Sequence, residues 1–134
     1  MNGYMGKILR VDLSSKEISI EELNMDIAYQ FIGGRGYGAK ILFDELPVGI
    51  DPLGPKNKLI FMTGPLTGTP APTSGRYSVS TKSPLTGTIF DANGGGYFGV
   101  ELKRAGFDGI IIEGVSDTPV FLSIINGKAK LHDA

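Results

Sequence analysis

A fixed positive charge, a line of hydroxyls and a run of bare backbone fall close together within residues 74–106, SGRYSVSTKSPLTGTIFDANGGGYFGVELKRAG. Arg76 brings a planar guanidinium that suits phosphate or carboxylate oxygens, and Gly75 before it lets the chain bend or approach something closely. The strand expected to carry Arg76 also offers serine and threonine hydroxyls. Gly94-Gly95-Gly96 then strips side chains from the start of the next helix, where unpaired N–H groups and the positive dipole end would be exposed. Together these describe a cradle for an anionic ligand, phosphate above all. Ordinary turn chemistry is the commoner reason for glycines before a helix, so the surrounding chain has to decide.

The elements that would position these groups can be read in order. Ile8, Val11 and Leu13, then Ile18 and Ile20, alternate with polar residues across a Ser14-Ser15-Lys16 break, which predicts a hairpin. Asn24 suits the N-cap of a helix over Met25 to Phe31. Ile32-Gly33-Gly34-Arg35-Gly36-Tyr37-Gly38 leads into a second helix, on which Ala39, Leu42, Phe43 and Leu46 share one face. Close helix packing and a ligand role explain this glycine run equally well. Lys58 to Thr63 reads as a buried strand, and the polar, proline-stiffened stretch GPLTGTPAPT as a loop suited to ligand contact. Tyr77, Val79 and Thr81 alternate as a strand, and residues 88–90 form another that leads to Asp91-Ala92-Asn93. A helix over residues 97–105 ends at Gly106, with Lys103 and Arg104 in its last turn. Residues 108–113 and 119–125 are strands, and Asn126-Gly127 turns the second into residues 128–131. His132 is expected to be exposed and uninvolved.

One pattern recurs. Gly34-x-x-Tyr37-Gly38-x-x-Ile41 is echoed by Gly95-x-x-Phe98-Gly99-x-x-Leu102, each after hairpin strands and before a further strand. Two related β–α–β units follow from this, and with them two glycine-opened helices set to receive a ligand with two similar halves.

Composition narrows the function. With 134 residues, 41% hydrophobic and 20% charged, the chain suits a single domain with a real core. Thirteen basic and 14 acidic residues leave a formal charge of −1, which gives no footprint for nucleic acid. Twenty glycines are about twice the usual ~7% and mark many tight bends. Without cysteine, the chain cannot supply a disulfide, a thiolate zinc site or ligands to an iron–sulfur cluster. No secretory layout or membrane-length apolar run is visible, so a cytoplasmic location is expected. There is no nucleophile motif, HExxH, Walker pattern or dinucleotide fingerprint, and Asp44-Glu45 and Glu21-Glu22 read as solvated neighbours. The residues describe an anion-binding platform and no complete catalytic site.

The segments GKILRVDLSSKEISIEEL, FIGGRGYGAKILFDELP, NKLIFMTGPLTGTPAPTSGRYSVSTKSPLTG and FDANGGGYFGVELKRAGFDGIIIEG together resemble the N-terminal domain of the tungsten-containing aldehyde ferredoxin oxidoreductases. The resemblance runs from Gly6 to about Leu131. It implies an α+β, β-rich fold of two intertwined β–α–β repeats forming barrel-like sheets, within a single domain over residues 1–134 whose second repeat is truncated. It further implies a base for a tungsten–bispterin cofactor (tungstopterin), with Mg2+ linking the two pterin phosphates. Carried across by motif, Arg76 contacts the pterin cofactor, the backbone oxygen of Asn93 helps hold the magnesium, and Gly94 and Gly95 lie against the pterin. Because dithiolene sulfurs come from the cofactor, the lack of cysteine does not conflict with this. The 4Fe-4S cysteines, substrate pocket and acid/base groups of the family have no counterpart here. This chain alone is therefore expected to be inactive and to associate with the remaining domains, a complementary chain or itself. The complete enzyme would pass electrons from an aldehyde, through tungsten and the cluster, to ferredoxin. A stand-alone phosphate- or pterin-binding module and a structural subunit are the alternatives.

Overall fold

The computed structural model describes residues 3–134, so the expected single domain begins two residues outside the described range. Strands β1 (Lys7–Asp12) and β2 (Glu17–Glu22) form the expected hairpin, in register from Lys7↔Glu22 to Asp12↔Glu17. Helix α1 (Met25–Phe31) starts where its N-cap predicts: the Asn24 side chain accepts hydrogen bonds from the N–H groups of Asp26 and Ile27. Helix α2 runs Gly34–Glu45, followed by β3 (Lys58–Thr63), β4 (Tyr77–Lys82) and β5 (Ile89–Gly94). Helix α3 (Phe98–Arg104), β6 (Gly109–Glu113) and the hairpin β7 (Val120–Ile125) and β8 (Lys128–Asp133) complete the described chain.

Six strands form one sheet in the order β2-β1-β6-β3-β4-β5, and β7-β8 pair separately. Exchanging the unit β1-β2-α2-β3 with β4-β5-α3-β6 turns this order into its own reverse. Each unit also lends its last strand to the other: β6 lies parallel to β1, and β3 lies antiparallel to β4. The correspondence holds for strand order and not for direction, since β1–β6 is parallel while its counterpart β4–β3 is antiparallel. The helices differ too, lying on opposite faces of the sheet, because successive residues of a strand face opposite ways. Ile8, Ile60, Met62 and Ile111 pack with α1 and α2 on one face, whereas Leu9, Val11 and Ile110 pack with Leu102 of α3 on the other.

One expectation changes: both sheets are open among the described residues, so no closed barrel is present. The second unit has a hairpin, a helix and a closing strand among the described residues. The hairpin after it, turned at Asn126 (φ 51°) and Gly127 (φ 74°), lays Leu122, Ile124, Ala129 and Leu131 over the α3-side core.

Ends and edges are tied by polar groups. Gly106 (φ 94°) closes α3, its N–H bonding Lys103 O while Phe107 N–H bonds Leu102 O, a Schellman arrangement. Arg10 gathers Glu21 at 2.6 Å, Glu45 at 2.9 Å and Glu113 at 3.2 Å, and Lys58 adds contacts to Glu113 and Glu45. This network joins the C-terminal turn of α2 to β1, β3 and β6. Burial raises the Glu113 carboxyl, but the Lys58 hydrogen bond and the charges of Lys58 and Arg10 outweigh it and hold the group below the ordinary glutamate range.

Below the sheet's other end, Lys103 (6% exposed) and Asp108 (2% exposed) form a buried pair at 2.7 Å. Each has further partners: Lys103 Nζ donates to Gly3 O at 2.6 Å, and Asp108 accepts the N–H groups of Met5 and Gly6. Thus the N-terminal segment is clamped to the turn between α3 and β6. His132 is less idle than expected, stacking on Phe121 at 4.8 Å and sharing a hydrogen bond with Ser123.

Candidate functional site

Arg76 lies one residue before β4 and is exposed. Its backbone oxygen accepts the Thr67 hydroxyl at 3.0 Å, which anchors the residue while leaving the side chain to project. Arg35 reaches Asp91 at 3.7 Å; the Arg76 guanidinium has no carboxylate partner among the described residues. It stands beside Gly95, where an added Cβ would come 3.9 Å from its Nη1. Gly75 fits its expected use as a close-approach position, since a Cβ there would stand 2.8 Å from Gly96 O. The backbone runs carrying Arg76 and the glycine cluster are therefore pressed together.

Two hollows meet at Arg76. One, of about 450 Å³, is bounded by residues 32–34, by the loop segments 64–67 and 71–74, and by Arg76, Ser78 and Asn93. The other, of about 540 Å³, is lined by Thr73, Gly75, Arg76, Gly95 and Gly96. A third, between α3 and the β7-β8 hairpin, is lined almost wholly by apolar side chains and lies apart from these groups.

Arg76 shares the lining of one hollow with Asn93 and stands beside Gly95, yet the structure gives some of these residues other reasons for their identity. Asn93 and Gly94 belong to β5, opposite Ser78 and Tyr77, and so precede the connection to α3. The Asn93 side chain accepts the Ser78 hydroxyl and donates to Asp91, both at 3.2 Å. At Gly94 a Cβ would overlap the Tyr77 ring, so packing alone demands glycine there. That ring continues into Phe98 at 4.7 Å and Phe61 at 6.4 Å. Gly95 and Gly96 are the exposed, open positions, and Gly96 needs its φ of 79°.

The hydroxyl row divides likewise. Ser78 borders the cleft, whereas Ser80 is buried beneath α2, where a Cβ on Gly38 would meet its Oγ at 2.6 Å. The expected apolar face of α2 is also rotated: Tyr37, Gly38, Ile41 and Leu42 are buried, while Phe43 is largely exposed. Helix α3 has only seven residues, and it is the start of the longer α2, at Gly33 and Gly34, that lines the cleft.

That start contains a feature invisible to periodicity. Ile32 has φ 66° and ψ −68°, and the Gly33 N–H donates across it to Phe31 O at 2.8 Å. This is a γ-turn of the strained, positive-φ form, centred on a β-branched residue. Thr73 (φ 57°) is also β-branched, and both line the cleft. Backbone of this kind costs about 1–3 kcal/mol per residue and persists where surrounding contacts impose it.

The sequence of the whole chain agrees with this geometry. The family model described as "Aldehyde ferredoxin oxidoreductase, N-terminal domain" matches residues 8–134. The tungsten-containing aldehyde ferredoxin oxidoreductases of Pyrococcus horikoshii and Pyrococcus abyssi are each 56% identical over 134 residues; the match spans 100% of this chain and 22% of each relative. An aliphatic sulfonate oxidoreductase, WOR-like subunit, of Pyrococcus furiosus is 41% identical over 137 residues, again across 100% of this chain and 22% of that protein. Among solved structures, the BamBC active-site complex of benzoyl coenzyme A reductase, in complex with 1,5-dienoyl-CoA, has a chain that superposes with a TM-score of 0.96. It is 39% identical and is matched over 98% of this chain and 20% of its own length. The chain belongs to the aldehyde ferredoxin oxidoreductase family and corresponds to its N-terminal domain.

Proposed function

We propose that this domain seats the phosphate-bearing pterin part of a tungsten–bispterin cofactor within an oxidoreductase of the aldehyde:ferredoxin type. The observation that carries the reading is the Arg76 guanidinium, exposed, without a carboxylate partner among the described residues, and facing the bare backbone of Gly95 between two hollows. A guanidinium forks onto phosphate oxygens, and the missing Cβ at Gly95 keeps the approach clear. The residues present therefore fit a phosphate-bearing group. Arg76 would pair with it, Gly95 would lie against it, and Gly94 would do so only along the side not covered by Tyr77.

Magnesium fits more narrowly. Among the described residues no cluster of three or more metal-ligating side chains exists. Asn93 would contribute a backbone oxygen alone, leaving phosphates, water or other domains to complete an oxygen-rich shell. When bound, the tungsten group supplies two-electron oxidation of an aldehyde to a carboxylate. This chain binds and orients; a 4Fe-4S cluster, the substrate pocket and the contact with ferredoxin belong to other domains or a complementary chain. In isolation it should not turn over. Those further parts would also complete the barrel-like closure that the open sheet lacks. Relatives named for aldehyde, sulfonate and benzoyl-CoA chemistry share this domain, which supports placing substrate choice elsewhere. A cytoplasmic setting is part of the same reading.

The test is Arg76→Ala and Arg76→Lys in the full-length protein, with tungsten measured by elemental analysis and pterin by fluorescence after oxidation. Both should fall several-fold in the alanine variant, with a smaller loss for lysine, which keeps the charge but loses the fork. Wild-type metal and pterin content in Arg76→Ala would overturn the reading. A phosphate ligand without tungsten in the wild-type protein would identify a simple binding module instead.

A further inference from the structure

The strained turn at Ile32 forms one wall of the cleft, and something outside its own segment must hold it. The Ile32 side chain is 62% exposed, so its own burial contributes little to fixing the backbone. Two groups do press on the turn. A Cβ on Gly33 would meet Thr63 O at 2.7 Å, which shows how tightly the chain is set against the end of β3. On the other side the Tyr4 hydroxyl donates to Ile32 O at 2.8 Å across 28 residues of sequence.

Tyr4 itself is held firmly. Its ring packs against the α2-side core and lies 5.8 Å from Lys103 Nζ. Its neighbours Gly3, Met5 and Gly6 are the backbone partners of the buried Lys103–Asp108 pair. Burial and the Asp108 charge keep the phenol protonated well past neutrality, so it remains a donor. Gly3 also packs on Pro65, which lines the same cleft and lies next to Gly33. One short segment therefore touches both the Ile32 turn and the loop beside it while being clamped to the core beneath.

We propose that Tyr4 is a positioning residue for the cleft: its hydroxyl fixes the Ile32 γ-turn and thereby sets the start of α2 opposite Arg76. The role in ligand binding rests on the cleft reading above, whereas the hold on the turn does not. Removing the hydroxyl leaves the carbonyl of Ile32 without its pin and lets the turn relax toward ordinary backbone. Glycine at position 32 has no side chain to strain, so the pin should then matter little.

A double-mutant cycle on the intact protein tests this with Tyr4→Phe, Ile32→Gly and both together. Amide hydrogen exchange is read at Gly33, with Ile60 and Ile111 as references in the central sheet. Tyr4→Phe should speed exchange at Gly33 about five-fold or more and leave the references unchanged, as losing one hydrogen bond would. In the Ile32→Gly background the same change should alter Gly33 exchange less than about two-fold. Unchanged exchange in Tyr4→Phe, or an equal effect in both backgrounds, would overturn the proposal, because Tyr4 would then act through packing alone. A parallel titration uses inorganic pyrophosphate as the probe. Weaker binding in Tyr4→Phe, restored in the double variant, extends the role to the ligand. Wild-type protein that ignores pyrophosphate counts against the cleft reading, while the exchange cycle still decides the role of Tyr4.

Discussion

The two glycine-opened helices begin from nearly the same sequence and end in opposite conditions. In the first copy α2 starts at Gly34 and takes in Arg35 and Gly36; in the second the equivalent Gly95, Gly96 and Tyr97 stay outside α3. One substitution accounts for much of this. Arg35 occupies helical backbone, whereas Gly96 at the same place adopts φ 79° and delays the helix. The first junction is dense: Gly33 abuts Thr63, Gly36 abuts Phe31, Gly38 abuts Ser80, and Tyr37 is buried with its hydroxyl beside Asn24. The second is packed at Gly94 and Gly99, against Tyr77 and against Gly75 and Thr67, but open between them, with nothing within 4 Å of a Cβ on Gly96 and only the Arg76 guanidinium near Gly95. Glycine serves close packing in the first copy and, at these two positions of the second, access. A repeated motif has thus been divided into a wall and a seat.

The largest effect should come from cutting the clamp behind the wall. Lys103→Met leaves Asp108 charged and buried without its cation, which should cost about 3–5 kcal/mol in chemical denaturation. An exposed pair such as Arg104–Glu101 should yield almost nothing on the same treatment. Next in size is Gly38→Ala, whose new methyl must displace Ser80 under α2 and should destabilise by about 1–3 kcal/mol. A neutral outcome there would mean the wall is looser than its distances imply.

Acid should act on the network at the far end of α2. Glu113 is held below the ordinary glutamate value of about 4.3, so its contribution is complete above that pH and is lost as pH falls toward the depressed folded value. Glu113→Gln should flatten the stability curve below about pH 4.3, by an amount on the order of 1 kcal/mol given partial exposure. A curve unchanged by this variant would remove Glu113 from the account of acid sensitivity. The smallest stability effect belongs to the seat: Gly95→Ala should stay within about 0.5 kcal/mol of wild type while reducing pterin content of the full-length protein. Equal stability losses at Gly38 and Gly95 would erase the distinction between wall and seat.

Much of the fold could be read from residues in advance, because local rules governed those places. Asn24 capped α1, Asn126-Gly127 turned the last hairpin, and Gly106 closed α3, each through chemistry confined to a few neighbours. The motif echo pointed to two related β–α–β units, whereas the interleaving of their strands was implied only by the family resemblance. What stayed hidden depended on distant contacts. Periodicity misplaced Phe43 because the buried face of α2 is set by where Gly38 meets Ser80, a pairing that no local pattern encodes. At the site, Arg76 with Asn93 and Gly95 was legible as a cluster. The reason for Gly94 was not, since it lies in a ring supplied by the facing strand. The Ile32 turn was hidden too: isoleucine rarely occupies positive φ, and the groups that press on it, the Tyr4 hydroxyl and Thr63 O, come from distant segments.

The placement of β6 has a consequence for how the molecule comes into being. Because β6 lies between β1 and β3, the early hairpin has no permanent neighbour on its inner side until residues 109–113 have been made. Synthesis proceeds at about 5–20 residues per second, so those early strands wait for several seconds with an unsatisfied flank. Assembly must then close a long loop in a single late step, which favours slow folding for a domain this small. Nascent chains should be most prone to mispairing, and most in need of a chaperone, just before β6 emerges.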